Sequence, residues 1–302
     1  MMSNTQILQR DQLDLSALVD YPEIEYAPGG IGNSPVAMLV HGFPDTPHSW
    51  GKVAQGLVQA GYTVVRPWLR GYTPASVKHG ASYDPYTAGL DLLAWRDMFA
   101  GRKVHLVGHD WGAVAAMAAV ATQANAWETL SLLAIPPFQR VERAWRLLPR
   151  QMVMSQYMLE MQAASAPVKL AANQFGRVRA LWSSWSPGWK FTNSDIDPVL
   201  EAFSNPKVAW AATRYYRSLF TLHRVATRSI YASSRKPLNV PTLAMAGQDD
   251  GCMQAALLNV MIEPTCFPRG IRSEILSNCG HFLHAEQPDA VLSKLLAHFD
   301  AQ

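Results

Sequence analysis

From Pro35 onward the chain alternates short unbroken apolar runs with longer segments that are apolar at helical spacing. That alternation constrains the fold more than any single motif, because it describes βαβ units and a mostly parallel sheet covered on both faces. "PVAMLV" (35–40) reads as a buried strand ending at the turn sequence "HGFPDTP". "SWGKVAQGLVQAG" (49–61) reads as a helix closed by Gly61. "YTVVRPWL" (62–69) is a second strand, followed by an amphipathic helix at "YDPYTAGLDLLAWRDMF" (83–99), with Pro85 and Thr87 near its start. "KVHLVG" (103–108), "WGAVAAMAAVATQ" (111–123) and "LSLLAI" (130–135) continue as strand, buried helix and strand.

The pattern changes after "PPF" (136–138). To about Lys236 the chain is rich in Met, Trp, Arg and Tyr and reads as a set of helices. "VPTLAMAGQDD" (240–250) restores the buried-strand pattern, "RSEILSNCGH" (272–281) gives a strand and a loop, and "PDAVLSKLLAHFD" (288–300) a terminal helix. The expected organisation is an α/β core over 1–135 and 237–302, interrupted by a helical insertion at 136–236. An insertion of about 100 residues can bury a small core of its own.

Composition excludes several classes. The 302 residues carry a net charge of +3 with no long run of one sign, which gives no electrostatic support to a nucleic-acid or membrane-surface role. Cys252, Cys266 and Cys279 fit no close metal spacing and argue against a disulfide framework. The N-terminal stretch has no apolar h-region, and "AVAAMAAVA" is too short to span a bilayer. A cytoplasmic protein is the expectation.

In open α/β sheets, ligands bind beyond the carboxyl ends of the strands. Four unusual loops fall there: His41–Pro44, Gly108–Gly112, Gly247–Gly251 and Cys279–His284. "GHDWG" has the G-x-Nu-x-G spacing of a nucleophile elbow, with Asp110 at its centre and a helix N-terminus behind it. Alone, Asp110 reads almost as readily as a helix cap. "HGFP" can turn backbone N–H groups toward the elbow, although a plain Gly-Pro turn explains the tetrapeptide too. "GQDDG" offers Asp249 or Asp250 to orient a histidine, and "CGHFLHAEQP" supplies His281. The order of nucleophile, acid and histidine along the chain is that of the α/β-hydrolases.

Together these residues resemble the epoxide hydrolase branch of the α/β-hydrolase superfamily, over nearly the whole chain from about Tyr21. "HGFP" is similar to that family's H-G-x-P motif, "GHDWG" to its aspartate elbow and "GHFLHAEQP" to its histidine loop. The resemblance implies an α/β-hydrolase fold whose insertion is a helical cap, or lid. Family loops of the form G-x-x-D favour Asp250 as the acid that orients His281, the general base. Family caps present two tyrosines that donate protons to the epoxide oxygen. "YMLEMQ" matches one context with Tyr157, and "RYYR" the other with Tyr216, although Arg214 and Tyr215 stand where Asn and Trp are usual.

On this reading Asp110 attacks an epoxide carbon, and the N–H groups of Phe43 and Trp111 form the oxyanion hole. Phe43, Trp111 and Met158 contact substrate. No metal and no organic cofactor is implied. The expected partners are an apolar epoxide and water, with a homodimer as the one assembly allowed for, and detoxification or catabolism as the context. Of the cap's Met152, Met154, Met158, Met161, Phe175, Trp182, Trp185 and Trp210, most are expected to pack helices and some to line the pocket. The nearest rival is a haloalkane dehalogenase, which shares the Asp elbow and the following Trp but gives the tyrosines no role. A non-catalytic ligand-binding relative is the other class weighed.

Overall fold

The computed structural model describes residues 5–10, 15–20 and 34–301. Its strands are β1 (Thr5–Arg10), β2 (Leu15–Asp20), β3 (Val36–Val40), β4 (Thr63–Pro67), β5 (Val104–His109), β6 (Thr129–Leu133), β7 (Thr242–Gly247) and β8 (Ile271–Leu276). They form one sheet in the order β1-β2-β4-β3-β5-β6-β7-β8. From β4 to β8 every neighbouring pair is parallel, while β2 runs antiparallel to both β1 and β4. The β1–β2 edge is not read from the sequence above, whose first strand begins at Pro35.

Helices α1 (Gly51–Gln59), α2 (Pro85–Asp97) and α3 (Trp111–Thr122) connect the first parallel strands. Between β6 and β7 the chain forms α4 (Leu148–Met154), α5 (Tyr157–Glu160), α6 (Ala166–Trp185), α7 (Asn193–Ser204), α8 (Pro206–Ser218) and α9 (Val225–Ser233). Helix α6 is interrupted at Ala172–Phe175, three of whose residues take left-handed φ. Helices α10 (Ala256–Met261), α11 (Leu283–Glu286) and α12 (Pro288–Phe299) complete the chain. None of the described helices is long and apolar enough to cross a membrane.

The two-residue period of a strand sorts its side chains between two cores. Val36, Met38 and Val40 of β3 join Leu106, Leu130 and Ala244 in the core that includes α2, α3 and much of the insertion. Ala37 and Leu39 join Val107, Leu133 and Met245 in the core beneath α1 and α12. With both faces covered, the central strands are fully buried, which is why they appear in sequence as unbroken apolar runs. Loops at the carboxyl ends of β3, β5 and β7, and the loop after β8, then meet over the same edge.

Candidate active site

Asp110 sits between β5 and α3 with φ of +51°. It occupies the N-cap position of α3, yet its side chain makes no capping hydrogen bond. Instead the Phe43 N–H donates to Asp110 Oδ1 at 2.8 Å. Glycine makes this approach feasible. A Cβ on Gly42 would stand 2.3 Å from Asp110 Cβ, and one on Gly112 would stand 2.3 Å from the Val40 carbonyl oxygen. Trp111 N–H is the first amide of α3, one of the four that have no acceptor within a helix. The Phe43–Pro44 peptide is cis.

His281, fully buried, lies between two carboxylates. Its Nδ1 is 2.9 Å from Asp250 Oδ2 and its Nε2 is 3.6 Å from Asp110 Oδ2. Asp250 Oδ1 accepts from the N–H groups of Cys252 and Met253, so both its oxygens are engaged. Burial alone would depress the His281 pKa, but the carboxylates of Asp250 and Asp110 push it up to about 10. The resting pair is therefore an imidazolium held by two anions. Asp249 is exposed and uses its backbone N–H on Cys279.

Asp110 opens into a cavity of about 740 Å3 whose wall also includes Trp111, Tyr157, Met158 and Tyr216. Both tyrosines are buried, and their rings meet edge to face at 5.6 Å. The Tyr157 hydroxyl lies 3.5 Å from Cys252 Sγ, and the Tyr216 hydroxyl has no hydrogen-bond partner among the described residues. Burial, with the nearby Asp110 charge adding to it, raises both phenol pKa values well above 10. They remain protonated. Tyr215 turns elsewhere, donating its hydroxyl to the Arg70 carbonyl. The rest of the wall is mostly apolar, with Val114, Met117, Ile135, Phe138 and Leu219.

Two expected contacts fall differently. The Phe43 ring is not on the cavity wall; it packs edge-on against Tyr216 at 5.1 Å and Phe203 at 5.8 Å, so Phe43 reaches Asp110 through its amide. Of the aromatic and Met residues of the insertion, Met161, Trp182 and Trp185 are buried packing residues, whereas Met152 is 71% exposed.

The sequence reading missed the supports behind the site. The Trp185 carbonyl, at the end of α6, accepts from both Gly251 N–H and His281 N–H, tying the acid loop to the histidine loop. Ser186 Oγ accepts from His281 and Phe282 N–H and donates to Glu286. Glu286 in turn accepts from Gly280 N–H. On the other side His109 Nε2 donates to the His281 carbonyl; burial, then His284 and His281, keep His109 neutral.

Behind it Asp45, His109 and His284 bring ligand-type atoms within 4.8 Å of one another. Ser49 Oγ already bridges Asp45 Oδ2 and His284 Nε2, at 2.8 and 2.9 Å, so a hydrogen-bonded network accounts for this cluster. The second His of "GHFLH", the Asp after "HGFP" and the His before Asp110 were the legible signals. Each stands next to a residue already singled out.

Comparison with known proteins follows the same lines. The alpha/beta hydrolase family model matches residues 37–294. The AB hydrolase superfamily protein YfhM of Bacillus subtilis is 26% identical over 91% of this chain and 93% of its own length. Epoxide hydrolase 3 of Mus musculus is 27% identical over 88% of this chain and 70% of its own length. Among solved structures, a putative epoxide hydrolase from Klebsiella pneumoniae superposes with a TM-score of 0.82 at 20% identity, covering 98% and 97% of the two chains. Epoxide hydrolase VrEH1 of Vigna radiata superposes at 0.78, with 18% identity and 99% coverage of both. At such identities the structures speak to the fold, and the family model to membership: the chain belongs to the alpha/beta hydrolase family.

Proposed function

We propose that this protein is an epoxide hydrolase that converts an apolar epoxide and water to a vicinal diol through an ester on Asp110. The observation that carries this reading is the shared cavity: the Asp110 carboxylate faces the same space as two buried, protonated tyrosines, Tyr157 and Tyr216. An epoxide needs both at once, a nucleophile for carbon and an acid for the departing oxygen. The names of the relatives agree with it.

In the first step the Asp110 oxygen not held by Phe43 attacks a ring carbon. The C–O bond breaks, and the alkoxide takes a proton from a tyrosine hydroxyl. In the second step water attacks the ester carbonyl carbon and gives a proton to His281, which Asp250 orients. Phe43 N–H already contacts Oδ1, and with Trp111 N–H it would hold the oxyanion. Collapse breaks the ester C–O bond, the departing alkoxide takes the proton of the carboxyl that the water created, and the diol leaves Asp110 as a carboxylate beside protonated His281. The tyrosinate left by the first step takes back its proton from His281 before water attacks: esterification removes one of the two charges that raise the His281 pKa, so the imidazolium can give up that proton and the neutral imidazole then serves as the base. The helices between β6 and β7, which carry both tyrosines, act in this scheme as a cap.

Intact-mass spectrometry during turnover of styrene oxide tests the scheme. Asp110→Asn is expected to abolish diol formation, and His281→Gln to accumulate a protein heavier by the mass of the epoxide. Full diol production by either variant would falsify it. One observation favours a second reading, a haloalkane dehalogenase: Trp111 Nε1 is buried at the cavity with no hydrogen-bond partner among the described residues and could hold a halide. Halide release from chloroalkanes, without diol formation from styrene oxide, would select that reading.

A further inference from the structure

A second cleft, of about 250 Å3, lies between the C-terminal half of α8, the start of α9 and the loop before α2, and shares no wall residue with the Asp110 cavity. Arg214, Arg217 and Arg224 line it. The Arg214 guanidinium lies 4.4 Å over the Trp210 ring, which covers one face of the plane. Its Nε is buried and has no hydrogen-bond partner among the described residues. Arg217 is fixed by donating to the carbonyls of Met161 and Ala163.

Arg70, Arg140, Arg143 and Arg177 each meet a carboxylate, but among the described residues no ion pair links Arg214, Arg217 or Arg224 to one. The carboxylate on the cleft wall, Asp84, is occupied: it accepts from the Thr87 N–H and from the hydroxyls of Thr87 and Ser82, at the start of α2. Burial, then the charges of Arg217 and Arg224, lower the Arg214 pKa, the direction expected of cations crowded without a counter-ion.

Helix α9 adds an independent feature. It is nine residues long, its N-cap Arg224 makes no side-chain cap, and Ala226 and Thr227 of its first turn are on the cleft wall. First-turn amides have no acceptor within the helix and stand at the positive end of its dipole. We propose that this cleft binds a tetrahedral oxyanion of the phosphate class, either the free ion or the terminal group of a small metabolite. Forked guanidiniums and helix amides together are the donor set that recognises such an ion.

Isothermal titration calorimetry of the full chain tests this, with inorganic phosphate, glycerol 3-phosphate and, at matched ionic strength, sodium chloride. Saturable one-to-one binding of phosphate beyond the chloride reference is expected, equally in the wild type and in Asp110→Asn. Arg214→Gln and Arg224→Gln should each weaken it at least about tenfold. Arg224 is exposed, so that substitution leaves the packing intact if Arg214→Gln unfolds. Tighter binding of glycerol 3-phosphate would identify a phosphorylated metabolite, and equal or weaker binding the free ion. No heat beyond chloride, unchanged affinity in Arg224→Gln, or loss of binding in Asp110→Asn would overturn the proposal. The titration asks nothing of the epoxide chemistry, so the two readings fail separately.

Discussion

The Phe43 amide donates to Asp110 Oδ1 at 2.8 Å although 67 residues separate the two in sequence. The bond joins the loop after β3 to the bend after β5, and it exists because nothing larger than hydrogen occupies the Cα of Gly42. Gly42→Ala would place a methyl 2.3 Å from Asp110 Cβ. We expect kcat/KM toward an epoxide to fall by about 10²-fold, the usual result of displacing a reacting group by about an ångström. The fold should lose about 1–3 kcal/mol from overpacking. Steady-state kinetics and a urea titration on one sample check both, and unchanged kinetics would mean that the loop simply shifts aside.

His281 links pH to stability. Its folded pKa of about 10 lies above the unfolded value of about 6.5, so the folded state binds the proton more tightly. The stabilisation is fully present below pH 6.5 and is lost as pH rises through 10. Urea midpoints should therefore fall between pH 7 and 10 more steeply for the wild type than for His281→Gln. Asp110→Asn, which removes one of the two raising charges, should show an intermediate slope. Parallel slopes for all three proteins would count against an imidazolium at this position.

Which parts of this were legible in sequence follows from how local each signal is. The central strands were readable because burial on both faces leaves unbroken apolar runs, and α1 and α12 because their apolar residues recur at helical spacing. Helix α2, expected to be amphipathic, and the all-round apolar α3 carry almost no such period and were marked by the turn residues before them. Asp110 and His281 were readable because glycine and the chain order marked them. Asp250 over Asp249, and Tyr216 over Tyr215, needed the resemblance, since adjacent residues of one type differ only in which way they point. Strands β1 and β2, the antiparallel end of the sheet, went unread, since "TQILQR" and "LSALVD" carry no unbroken apolar run of strand length. Contacts such as Trp185 to Gly251 and His281, or Ser186 to Glu286, cross about 65 to 100 residues, and those of Trp185 join backbone groups. No side-chain pattern announces a backbone carbonyl.

The two tyrosines should be unequal. Tyr157 has a resting partner in Cys252 Sγ, whereas the Tyr216 hydroxyl has none among the described residues. Removing either proton donor should slow ester formation by about 100-fold, the lower end of the range of one general acid because the second tyrosine remains. The double substitution to Phe should abolish it. Tyr216→Phe strands no partner and is expected to keep its stability; Tyr157→Phe deprives Cys252 of a contact and should cost slightly more. Rapid-quench measurement of the alkyl-enzyme separates this step from hydrolysis. If both single variants form ester at the wild-type rate, the donors are elsewhere.

Ser186 gives the sharpest test of the supports around His281. Its hydroxyl oxygen accepts from Phe282 N–H at 3.2 Å and His281 N–H at 3.0 Å, and its proton goes to Glu286 Oε1. His281 N–H keeps the Trp185 carbonyl if the hydroxyl is lost, but Phe282 N–H and Glu286 Oε1 each lose a partner. Leaving a buried polar group unsatisfied costs about 1–3 kcal/mol; Phe282 is fully buried whereas the half-buried Glu286 carboxylate can turn to water, so Ser186→Ala should lower stability by about 1–3 kcal/mol. Because Glu286 also holds Gly280, the histidine loop should loosen, and kcat should fall through ester hydrolysis while ester formation stays near the wild-type rate. A stability loss with both steps unaffected would show that Trp185 alone fixes His281.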